Sequence, residues 1–174
     1  TKRLMDGWLP VVLLAADDGP VRYEFTFWAS PLPSANDWRG AFARPSEGEN
    51  FLNWIAVRVV NTGTSASEGK LRIEQAGPYE KAKHPVPSLA VPRDYSWVVR
   101  PGQSIECFVA IPWEPVEGKA YTKDEPKRWL DRTVRYWRSV MEDAASIRFP
   151  CEKATQAYRA AHVCQLVASD RGER

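Results

Sequence analysis

The residues able to do acid–base, nucleophilic or metal chemistry are few and scattered. The chain has two histidines, His84 beside a loop proline and His162 near the C-terminal end, and three cysteines, Cys107, Cys151 and Cys164. No histidine has a cysteine or carboxylate at metal-ligand spacing, and His162 stands two residues before Cys164, which turns the two side chains to different parts of a helix. A nucleophile elbow and a glycine-rich phosphate loop are both missing from the sequence. The pattern therefore assigns no catalytic residue, no metal and no cofactor. Asp37, Glu47 and Glu49 do share one long polar stretch. Paired acids hydrolyse glycosides, but surface loops carry acids routinely, so the solvated reading stands beside the catalytic one.

Tryptophan is the unusual residue, with eight in 174 positions. A flat indole ring stacks on a sugar face, and it also fills a core. Trp129 and Trp137 lie on a helical stripe and are expected to pack. Trp28 is expected outward on its strand, Trp38 lies in the long polar stretch, and Trp54, Trp97 and Trp113 sit at strand ends or opposite the apolar face. Those five are the candidate carbohydrate-binding residues. The competing expectation is that the other face of the sheet is covered too, which would make the rings core.

Composition narrows the partners. With 24 basic and 22 acidic residues the net charge is +2, which supplies no general attraction to nucleic acid or to an acidic membrane. The run Leu9–Ala16 falls well short of the roughly 18 apolar residues of a spanning helix, and no basic segment precedes it in the manner of a signal peptide. The expectation is a soluble protein with neither nucleic acid nor membrane as partner, its compartment open. Three widely spaced cysteines do not read as a disulfide framework. A hydrophobic content of 44% is ample for a core. The hydrophilic run Asp170–Arg174 reads as unfinished, as in a piece excised from a longer protein.

The elements that would position these residues follow from periodicity. Leu9–Ala15 reads as a buried strand, ended by Asp17-Asp18-Gly19-Pro20. Val21–Ala29 alternates, with Val21, Tyr23, Phe25 and Phe27 on one face and Arg22, Glu24, Thr26 and Trp28 on the other. Trp54–Val60 puts Ile55, Val57 and Val59 on one face; Asn61-Thr62-Gly63 then turns the chain, and Lys70–Gln75 is expected to return as its hairpin partner. The prolines at 78, 85, 87 and 92 make 77–93 a second long loop. Tyr95–Val99, the turn Pro101-Gly102 and Ser104–Ile111 close the sheet. Past Pro115 the period changes to 3.6. Thr122 and Glu125 have capping-box spacing and Leu130, Val134, Trp137, Met141 and Ala144 make a stripe; from Pro150 a second helix carries a small-residue face of Ala154, Ala157, Tyr158, Ala161 and Cys164. The fold class is mainly β: an antiparallel β-sandwich over residues 1–115, followed by two α-helices in 116–174.

Four stretches in this order carry a resemblance. Trp8-Leu9-Pro10-Val11-Val12, Val57-Arg58-Val59-Val60-Asn61-Thr62-Gly63, Arg100-Pro101-Gly102-Gln103-Ser104 with Ala110-Ile111-Pro112-Trp113, and Thr133-Val134-Arg135-Tyr136-Trp137 together resemble bacterial glycoside hydrolases. In these an N-terminal β-supersandwich is joined by linker helices to an (α/α) six-hairpin barrel. Ile147-Arg148-Phe149-Pro150 leading to Ala157-Tyr158-Arg159-Ala160 resembles the passage into the first barrel helix. The resemblance implies a supersandwich-like domain over 1–115 and a helical linker with the start of a barrel over 116–174. It implies no catalytic residue here, because the family's acid and base belong to the barrel. The expected role is a non-catalytic segment of a carbohydrate-active enzyme that supports or extends a glycan-binding cleft. The alternatives are a freestanding carbohydrate-binding module and a dimerising interaction domain. The partners expected are accordingly a carbohydrate, a catalytic barrel or a second copy of the chain.

Overall fold

The computed structural model describes residues 1–31, 51–73, 94–112, 124–144 and 147–168. Strands β1 (Lys2–Met5), β2 (Leu9–Asp18), β3 (Val21–Pro31), β4 (Phe51–Asn61), β5 (Ser67–Arg72), β6 (Asp94–Val99) and β7 (Ser104–Pro112) precede helices α1 (Asp124–Glu142) and α2 (Glu152–Ala168). The strands form a five-stranded antiparallel sheet in the order β1-β2-β3-β4-β7 and a two-stranded ribbon, β5-β6. This is the expected sandwich followed by two helices.

The β2–β3 hairpin forms around Gly19-Pro20, with Asp18 opposite Val21 and glycine taking φ +57°. The sequence reading misses β1, a four-residue strand with two basic residues and too little alternation to reveal a face. It reaches β2 through a tight turn in which Asp6 and Gly7 both have positive φ. A side chain at Gly7 would run into Gln156 of α2.

One expected pairing is wrong. Of the expected return strand 70–75, the described residues 70–73 do not run alongside 54–60: the neighbours of β4 are β3 and β7, and β5 pairs with β6 in the ribbon. The turn at Asn61 is instead a corner between layers. Asn61 is buried; its Nδ2 donates to the carbonyls of Ser65 and Val99 at 2.7 and 2.8 Å, and its Oδ1 accepts from the Gly63 amide at 2.9 Å. One side chain thus ties the end of β4 to both ends of the crossing, a geometry that turn propensity alone does not distinguish from a hairpin.

Register assigns the faces. Trp28, Trp54 and Ala110 align across three strands on one side, while Val12, Phe27, Ile55 and Val109 align across four on the other. The helices cover the first side, where Trp8, Leu9, Val11, Trp28, Trp54, Trp129 and Trp137 share one core. The ribbon covers the second, where Val57, Val59, Trp97 and Val99 share another. On α1, Trp129, Thr133 and Trp137 form the buried line at i, i+4, i+8, with Leu130, Val134 and Met141 half-buried beside it, close to the expected stripe.

Helix α2 sits differently from expectation. Its buried residues are Thr155 and Val163, while Ala154, Ala157, Ala161 and Cys164 of the expected packing face are exposed. Thr155 explains the rotation, because its hydroxyl accepts from the Phe149 amide at 3.0 Å and thereby fixes the start of the helix against its connector. Polar side chains do the seating here, so apolar periodicity points to the wrong side.

Candidate functional site

Trp28 and Trp54 stand opposite each other on β3 and β4, stacked at 5.8 Å between centroids with planes 10° apart, and are 4% and 1% exposed. Trp54 Nε1 donates to Ser30 Oγ at 2.8 Å, and Ser30 donates in turn to the Pro31 carbonyl at 3.0 Å. Trp97 is 6% exposed, set edge-on to Tyr23 and pressed against Gly69, where an added Cβ would lie 2.6 Å from the ring. The outward placement expected for Trp28 is therefore corrected, and Trp54 and Trp97 present no free ring face either. Helices cover the face at Trp28 and Trp54 and a ribbon covers the other, while further along the first face Arg22, Glu24 and Arg58 stay in solvent. Trp38 and Trp113 lie outside the described residues, as do His84, Asp37, Glu47 and Glu49. The indole N–H groups of Trp28 and Trp97 are buried and have no hydrogen-bond partner among the described residues, each at a cost of about 1–3 kcal/mol.

The titratable groups with displaced pKa values are not arranged as catalytic partners. Burial, helped by the Glu106 carboxylate, pushes the Cys107 thiol up to about 11. Burial, helped by Cys107, pushes Tyr95 up to about 12, and its hydroxyl donates to the Phe108 carbonyl at 3.3 Å. Both sit in the wall between ribbon and sheet. Cys151 and Cys164 are exposed free thiols. His162 is half-buried and meets the Tyr158 ring edge-on, at 6.2 Å between centroids. Among the described residues, no three His, Cys, Asp or Glu side chains come together as a metal site, and no helix is long and apolar enough to cross a membrane.

A cleft of about 440 Å³ opens instead where the β1–β2 turn meets the C-terminal half of α1 and the N-terminal half of α2. That volume is within the usual range for small-molecule sites. Half-buried Tyr158 supplies aromatic surface beside the nearly buried Trp8, and Asp6, Arg138, Glu142, Glu152 and Arg159 supply charge. Asp6, at φ +52°, accepts a 2.7 Å bond from Arg138, which fastens the turn to α1. Arg159 lies over the Trp8 ring at 5.9 Å. Sequence reading missed this cleft because its residues come from three separated segments. The only local signal is the Asp6-Gly7 pair, a turn dipeptide suited to positive φ.

Neither the protein-family models, nor the curated proteins, nor the solved structures yield a match to this chain. A mixed-charge cleft with an aromatic floor is equipped to bind and orient, and no nucleophile within it is paired with a base.

Proposed function

We propose that this chain is a non-catalytic sandwich-and-linker segment of a carbohydrate-active enzyme, one that supports or extends a glycan-binding cleft formed with another unit. The observation that carries this reading is the seam between sheet and helices. Trp8, Trp28, Trp54, Trp129 and Trp137 join both sides of that seam in one core, so the helical segment is held as a rigid continuation of the sheet. Helix α2 then turns Ala154, Ala157 and Ala161 outward, a row of small side chains against which a further helix can pack closely. Burial of Trp28, Trp54 and Trp97 counts against the freestanding binding module, which needs ring faces in solvent.

The test is done on the intact chain with a panel of soluble glucans, xylans and mannans. No reducing sugar should be released, and affinity gels containing each polymer should show no retardation. Turnover that follows the purified chain and disappears on changing Asp37, Glu47 or Glu49 would overturn the non-catalytic role. Retardation by one polymer would favour the binding module instead.

A further inference from the structure

The charges around the cleft do not all cancel. Asp6 and Arg138 pair with each other at 2.7 Å. Glu142, Glu152 and Arg159 remain, and among the described residues none of the three has an ion-pair partner. Glu152 only accepts from Gln156 Nε2, at 3.4 Å. Glu142 ends α1, where the helix dipole disfavours a carboxylate, so local helix electrostatics do not account for it. Arg159 lies seven residues beyond Glu152, about 10 Å along the axis and outside the i+3 and i+4 reach of helical ion pairs. Its guanidinium rests on Trp8, a ring only 8% exposed, which holds the charge in place beside the cavity.

We propose that this cleft binds a small zwitterion: an ammonium group between Glu142 and Glu152 and a carboxylate on Arg159, with the alkyl part over Tyr158. A simple cation would leave Arg159 unmatched, and a simple anion would meet two carboxylates. A neutral polyol would gain no charge pairing from Glu142, Glu152 or Arg159, the two carboxylates being exposed and solvated on their own. The axial separation of Glu152 and Arg159 favours a ligand whose two charges stand several bonds apart. This inference is independent of the scaffold role.

Isothermal titration calorimetry on the intact chain, using glycine, 4-aminobutyrate and 6-aminohexanoate, tests it. Saturable binding is expected to tighten along that series, with butylamine and butyrate each weaker than 4-aminobutyrate by about tenfold, the weight of one charge-assisted hydrogen bond. Arg159→Gln and the double change Glu142→Gln with Glu152→Gln should each weaken 6-aminohexanoate by about tenfold. Arg159→Lys, which keeps a cation near Trp8, should retain most of the affinity, so that loss of charge is separated from loss of packing. The proposal is overturned if none of the three amino acids binds, if butylamine binds as tightly as 4-aminobutyrate, or if the lysine variant binds as weakly as the glutamine variant.

Discussion

On its helical side the five-stranded sheet carries Trp28 and Trp54 on neighbouring strands, stacked and almost fully buried. On its ribbon side the same two strands offer Tyr23, Phe25, Phe27, Val57 and Val59, of which the three aromatic rings are only half-buried. The difference follows from what each side must meet. Helices are cylinders, and laying them on a sheet leaves gaps wide enough for indole rings. Two pleated layers interdigitate more closely, and β-branched side chains suit that surface. The ribbon side also has its own polar fastening in Asn61, whereas Trp54 Nε1 is the polar contact that anchors the helical-side ring pair. One face rests on a pair of buried indoles, and the other on buried valines and Trp97 flanked by half-buried rings.

Single changes sharpen the contrast. Trp54→Ala should cost about 3–5 kcal/mol, because the ring, its stack with Trp28 and the helix cover are lost together. Val57→Ala, equally buried on the opposite side, should cost about 2 kcal/mol for two methyl groups. Trp137→Ala should fall with Trp54→Ala if α1 is bonded to the sheet as the core indicates. Denaturant midpoints at a common m-value compare all three, and a Trp137→Ala midpoint equal to the parent's would show that the helix contributes nothing to the folded unit.

The polar fastening can be broken separately. Asn61→Ala should cost about 2–3 kcal/mol, since it leaves the carbonyl of buried Val99 without its donor and the Gly63 amide without its acceptor. Asn61→Asp should be no milder, because its carboxylate would face the two carbonyls that Nδ2 now serves. Hydrogen exchange provides the check. Amides of β5 and β6 should lose protection ahead of those in β2 and β3, while uniform loss across both layers would mean that the corner is not a local tie.

Much of this fold was legible in the sequence because burial repeats with the backbone's own period. Val21–Phe27, Ile55–Val59 and Cys107–Val109 fall on one face as their alternation requires, and α1 buries nearly the stripe that its spacing predicts. What failed was whatever depends on distant covering. Alternation says that Trp28 faces away from Phe27, but not that helices beyond residue 123 will lie on it. Asn61-Thr62-Gly63 announces a turn without saying whether the chain returns to the same layer. The seating of α2 rests on Thr155 and Gln156, polar residues that a hydrophobic pattern passes over. The cleft was least legible of all, since a salt bridge between Asp6 and Arg138 spans 132 positions and no short motif contains it.

The smallest expected effect is chemical, and it separates the layers by proton instead of by packing. Cys107 lies on β7 toward the ribbon, and burial first, then Glu106, raises its thiol from 9.0 to about 11. Below 9.0 both folded and unfolded chains hold this proton, so the group has no influence on stability there. Between 9.0 and about 11 the unfolded chain releases it while the folded chain retains it. Stability therefore falls as pH rises through that window, by on the order of 1 kcal/mol. Tyr95, raised from 10.0 to about 12, continues the fall at higher pH. Urea midpoints across the alkaline range should show this decline, and Cys107→Ala should remove its lower portion and trim that of Tyr95, which burial mainly and Cys107 in part hold up. At neutral pH a thiol reagent should modify exposed Cys151 and Cys164 and spare Cys107 until the chain unfolds. Rapid modification of Cys107 in the folded protein would show that the ribbon opens readily, and would make the ribbon side the weaker of the two faces.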